Sequence, residues 1–200
     1  MPNRAGGQPQ ILSILLGIFA LLFFVAHGWY HYFYGDLRNL LWTCNLGTLF
    51  VGVGMLLGIS VLNSLGLYWV ILGAPLWVGA LFTGEPLLLT SIFTHFGTLA
   101  IGLFGITRLG LPNHMWLKAA VALLLLFGLS RVLTPAELNI NLAWSIWPWW
   151  RRYISDYSVY FLMLFSFCMV IFVFADLLLR RFLVRKEVGQ SPAEIDSASV

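Results

Sequence analysis

The chain is 200 residues long, 60% hydrophobic and only 10% charged, with a mean hydropathy of +0.88. A soluble domain carries about a quarter charged residues, so this composition excludes a water-soluble globule and makes the bilayer the solvent. The net charge of +3 sits at helix ends rather than along one face, which excludes a nucleic-acid-binding surface, and the two cysteines, Cys44 and Cys168, match neither a disulfide framework nor a zinc spacing.

A hydrocarbon layer of about 30 Å takes roughly 20 helical residues to cross. The expected fold is therefore all-α, a polytopic bundle of six transmembrane helices with no separate soluble domain. Residues 1–10 are polar, with Pro2, Gly6, Gly7 and Pro9, and read as a disordered cytoplasmic tail. The first helix is expected over 11–34 as a retained signal anchor. It closes in the aromatic belt Trp29-Tyr30-His31-Tyr32-Phe33-Tyr34. A turn at Gly35–Arg38 leads to a second helix over 39–62, whose Gly54-x-x-x-Gly58 permits close approach of a neighbouring backbone. Asn63-Ser64 reads as the next turn.

The third helix, 66–82, is expected to be short and kinked at Pro75. Thr83-Gly84-Glu85-Pro86 is a turn with proline placed to start helix four, 87–107. A loop with Gly110-Leu111-Pro112-Asn113 precedes helix five, 116–133. The connection 134–156 carries Trp144, Trp147, Trp149, Trp150, Arg151 and Arg152, and is expected to lie flat among the lipid headgroups. Helix six, 157–179, ends in Arg180-Arg181, which closes a transmembrane domain spanning 11–182. A cytoplasmic tail over 183–200 follows, with Arg185 and Lys186 near its start. Asp176, four residues before Arg180, is placed to pair with it.

Six crossings leave both termini on one side. That side holds Arg4, Arg108, Lys118, Arg180, Arg181, Arg185 and Lys186, against Arg38, Arg131, Arg151 and Arg152 on the other. The positive-inside rule then puts the termini in the cytoplasm, with the protein in the inner (plasma) membrane.

Polar groups at membrane depth are costly and mark function by default. Ser91, Thr94, His95 and Thr98 recur at helical spacing on helix four, Cys44, Asn45 and Thr48 on helix two, and His27 and His31 on helix one. From a rise of about 1.5 Å per residue, these groups are expected to gather in the outer half of the bilayer, below the tryptophan-rich loop. One reading is an intramembrane catalytic site. His95 is then a general base toward Cys44 or Thr43, and Asn45 or Thr48 stabilises an oxyanion, on a lipid or acyl substrate. A second reading gives His27, His31 and His95 to a metal ion or a haem, although no cofactor motif is present. In a third, the polar groups only hold helices together, in a non-catalytic subunit that packs against membrane-protein partners or copies of itself.

The blocks Leu40-Leu41-Trp42-Thr43-Cys44-Asn45, Phe93-Thr94-His95-Phe96 and Glu137-Leu138-Asn139-Ile140-Asn141-Leu142-Ala143-Trp144 resemble those of a group of bacterial six-helix membrane proteins to which no activity is attached. The layout is also similar to that of the androgen-induced-protein family of six-helix lipid hydrolases. That resemblance implies a threonine nucleophile on one helix and a histidine on another, roles that fall here to Thr43 or Cys44 and to His95.

Overall fold

A computed structural model describes residues 11–82 and 87–183 of the chain. The expected tails and the Thr83–Pro86 turn lie outside the described residues, apart from Leu183. Six helices run antiparallel to their sequence neighbours: α1 Ile11–Tyr34, α2 Thr43–Leu57, α3 Ser60–Leu81, α4 Leu89–Leu109, α5 Met115–Leu133 and α6 Tyr157–Phe182. All but α2 are long and apolar enough to cross a membrane. The exposed residues of α1 and α6 include Phe19, Leu22, Val25, Leu162, Phe167 and Val170, a surface suited to lipid. The protein is a helical membrane bundle.

Three expected boundaries move by four residues or more. The second helix starts at Thr43 rather than residue 39, after a 3-10 turn over Leu37–Leu41. It ends at Leu57 rather than residue 62, because Gly58 adopts the left-handed conformation (φ 70°) and caps it, with its N–H bonded to Gly54 O. Asn63 and Ser64 are therefore not a turn. They sit fully buried in the first turns of α3, which starts at Ser60 and runs unbroken through Pro75. The third helix is thus long, with 22 residues, and the second short, with 15.

The short helix is wedged between its neighbours by absent side chains. A Cβ on Gly47 would stand 2.8 Å from Gly66 O, and one on Gly17 would stand 2.8 Å from Leu56 N. On Gly54 it would meet the Asn63 backbone. Gly54 thus performs the expected close approach, while Gly58, with nothing within 4 Å, serves only the turn.

The helix ends differ in character. At one end Asp176 is buried between Arg180 (Nε to Oδ2, 2.6 Å) and the Tyr68 hydroxyl, which donates to Oδ1 at 2.6 Å. Arg180 also donates to Pro112 O at 2.8 Å, tying α6, α3 and the α4–α5 loop together. This is the basic end, and the expected Asp176–Arg180 pair is present there.

The opposite, aromatic end is covered by residues 134–156, which do not all lie flat. Ile140, Ala143 and Ile146 are buried, while Trp144, Trp149 and Trp150 stay exposed. Arg131 crosses from α5 to donate to Ala143 O at 2.6 Å, beneath the rings of Trp144 and Tyr157. The Tyr157 hydroxyl donates to the same carbonyl at 2.6 Å.

Candidate functional site

Beneath this covering segment lies a cavity of about 550 Å³, within the range typical of small-molecule sites. His27, His31, Thr43, Cys44, Asn45, Ser91 and His95 all line it, as does Trp147. Seven of the residues singled out in the sequence on α1, α2 and α4 therefore meet at one place, at the aromatic end. Trp147 stands apart from the other loop tryptophans, since it faces this cavity and comes near Gly79 of α3. Arg151 binds Ile146 O and Arg152 stacks on Trp149 and Tyr153, so both arginines brace the loop.

Cys44 is the second residue of α2. A Cβ on Gly73 would stand 3.0 Å from Cys44 Cβ, so the cysteine is level with a point eight residues inside α3. At about 1.5 Å per residue, that is about 12 Å from the end of α3. The short α2 thus starts deep. Its first turn is completed by a side chain from the loop: Asn141 Oδ1 accepts from Thr43 N at 2.9 Å. Asn141 Nδ2 donates to Leu41 O (2.8 Å) and to Ser130 Oγ (3.0 Å). Asn141 is 5% exposed and sits at φ 55°, a conformation asparagine tolerates better than most residues.

His95 lies in Phe93–Gly97, a π-helical segment within α4. Such segments are rare and frequently occur at functional sites. The wider turn separates polar groups that ideal helical spacing would stack on one face. Thr94 and Thr98 turn to α2, where the Thr48 hydroxyl lies 3.0 Å from Thr94 O and accepts from Thr98 Oγ1 at 3.2 Å. Ser91 and His95 line the cavity instead. Backbone carbonyls only accept, so the 2.7 Å contact with Ser91 O makes His95 Nδ1 a donor. A neutral ring then carries a lone pair on Nε2, which is buried and has no partner among the described residues. Trp77 stacks on the imidazole at 4.6 Å and 10°, fixing its plane.

The other two histidines are engaged with each other. His31 Nε2 lies 3.1 Å from His27 Nε2, and His27 Nδ1 lies 3.0 Å from Thr90 Oγ1. Among the described residues no group of three or more His, Cys, Asp or Glu is placed to hold a metal ion. The remaining polar candidates also serve structure. Asn45 Nδ2 donates to Asn39 O at 2.8 Å, and the Thr48 hydroxyl also approaches Cys44 O at 2.9 Å. Cys44 Sγ lies 3.9 Å from Asn45 Oδ1, and no thiol–imidazole hydrogen bond to His95 is formed. At the rim, the Arg38 guanidinium bonded to Asp36 holds that carboxyl at about 2, so this turn keeps both charges at any ordinary pH.

Sequence reasoning missed Trp77, Thr90 and Asn141 as parts of the site. Nothing local marks Trp77 or Thr90, because their roles depend on which helices face each other. Asn141 carried a signal in its setting: two asparagines, 139 and 141, in an otherwise apolar stretch. No protein-family model matches the chain, and no curated protein or solved structure matches it either.

Replacing Asn141 by alanine removes three hydrogen bonds, two of them buried, and leaves Thr43 N without its acceptor. At about 1 kcal/mol per bond, plus the cost of stranded groups, Asn141→Ala is expected to destabilise the fold by about 2–4 kcal/mol. Thermal unfolding in detergent measures this, and an unchanged midpoint would contradict the role given to Asn141.

Proposed function

We propose that this chain is an intramembrane acyl hydrolase or acyl transferase acting through a thioester on Cys44. The supporting observation is the pairing, in one cavity, of a recessed thiol with a histidine whose Nδ1 is fixed as donor and whose Nε2 lone pair is unused. Burying a polar atom without a partner costs free energy, and two such atoms, His95 Nε2 and His31 Nδ1, belong to residues that line this cavity.

In the reaction, His95 Nε2 takes the thiol proton as Sγ of Cys44 attacks the ester carbonyl carbon. A C–S bond forms, and the carbonyl oxygen becomes an oxyanion. The Thr48 hydrogen is committed elsewhere, whereas the Asn45 amide gives one of its two hydrogens to Asn39 O and can turn the other to the oxyanion, beside the N-terminus of α2, where the helix dipole favours negative charge. Collapse breaks the ester C–O bond, and His95 returns the proton to the leaving alcohol. Water or a second alcohol then attacks the thioester, giving its proton to His95, and Cys44 regains its thiol. Cys44 is favoured over Thr43 because a thiol is much the stronger nucleophile once a base takes its proton. Ground-state structures commonly hold such pairs apart until substrate binds.

Purified protein in detergent is expected to hydrolyse p-nitrophenyl acyl esters. Cys44→Ala and His95→Gln should each lower turnover by about 10²-fold or more while keeping the wild-type thermal midpoint. Undiminished turnover in either variant overturns the reading.

The basic residues also support an orientation, with the aromatic end and its cavity facing away from the cytoplasm. A reporter active only in the cytoplasm, fused after residue 200, should be active. An inactive fusion at that position, beside an active one in the 134–156 loop, reverses the orientation.

A further inference from the structure

The cavity is polar on one side and apolar on the other. Its α1 and α4 wall presents His27, His31, Ser91 and His95, while the far wall, from α3, α5 and α6, presents Leu72, Leu123, Phe127, Leu164 and Cys168. Counted at about 1.5 Å per residue from the aromatic ends of their helices, Leu123 and Cys168 lie about 15 and 16 Å in, and Leu72 about 14 Å. These are the deepest lining residues, and they lie below Cys44, which is level with Gly73. Above Cys44, the lining adds Tyr30, Tyr34, Asn39, Trp42 and Asn139 beside apolar groups such as Leu76, Phe127 and Leu164. Leu123 and Cys168 are almost fully buried and belong to the main packing core, so they form a fixed wall.

We propose that this apolar chamber seats the acyl chain of the substrate, and that Leu123 and Cys168 set the chain length the site accepts. The inference rests on the acyl-transfer reading above. A carbonyl carbon held at Cys44 has two directions for its substituents. The alcohol side fits the polar vestibule, where tyrosine, asparagine and histidine offer hydrogen bonds to hydroxyl or ester oxygens. The acyl side fits the chamber, where Leu72, Leu123, Phe127, Leu164 and Cys168 offer only hydrocarbon or thiol, so a chain packed against them leaves no polar atom stranded. Among the described lining residues none is Asp, Glu, Lys or Arg, so nothing in the chamber competes for a charged tail. A packed wall tolerates removal of volume better by its ligand than by its neighbours, so its side chains act as a stop for the chain end.

The test is a chain-length profile. Turnover of p-nitrophenyl esters from acetate to palmitate is measured for the wild-type protein, Leu123→Ala, Cys168→Ala and Cys168→Phe. The alanine variants should move the best substrate to a longer chain, and the phenylalanine variant should move it to a shorter one. An unchanged profile in the two alanine variants, with hydrolysis retained, overturns the chamber assignment and leaves the acyl-transfer reading standing. Absence of turnover by the wild-type protein on every ester overturns both. Should Cys168→Phe or Leu123→Ala fail to fold, Cys168→Ala decides alone, because it removes only Sγ from the cavity wall.

Discussion

The site depends on a mismatch of length. With 15 residues, α2 spans about 22 Å at 1.5 Å per residue, against about 30 Å of hydrocarbon. Its neighbours α1 and α3, with 24 and 22 residues, cover that thickness. One end of α2 must therefore lie inside the bundle. Gly17, Gly47, Gly54 and Gly66 lock the helix against α1 and α3 backbones, and the αL cap at Gly58 fixes its basic end. The shortfall consequently appears at the aromatic end, where a helix N-terminus and Cys44 open into a cavity.

A helix start inside a membrane protein exposes backbone donors that lipid cannot satisfy. Asn141 resolves this. Its amide accepts from the first N–H of α2 and ties the preceding Leu41 carbonyl and Ser130 to the same side chain. The covering segment is thereby part of the site and not only a surface anchor. Burial of Ile140, Ala143 and Ile146 holds it in place, and Arg131 and Tyr157 clamp it from α5 and α6. On the opposite wall, the π-helical turn in α4 and the Trp77 ring set the orientation of His95. Rigid elements thus hold both candidate reacting groups, as efficient catalysis requires.

Much of this was legible in the sequence. The apolar runs and their turns specify a six-helix membrane bundle, and helical periodicity with a fixed rise was enough to predict that His27, Cys44 and His95 share one end of it. What could not be read was whatever depends on exact phase. Asn63-Ser64 looks like a turn because both residues favour turns, yet Gly58 supplies the left-handed residue that a tight helix reversal needs. The π-turn has no local signature, so Ser91, Thr94, His95 and Thr98 looked like one face when they serve two. Trp147 was grouped with three interfacial tryptophans because composition cannot distinguish a ring facing lipid from one facing a cavity.

The central claim is that Cys44 carries the acyl group. Its most direct test is mass spectrometry of the protein quenched in acid during turnover of an acyl ester. The account requires the acyl mass on the peptide containing Cys44, localised to that residue and released by neutral hydroxylamine as a thioester is. An adduct on Thr43 or His95, or turnover with no acyl-enzyme at any time point, would contradict it.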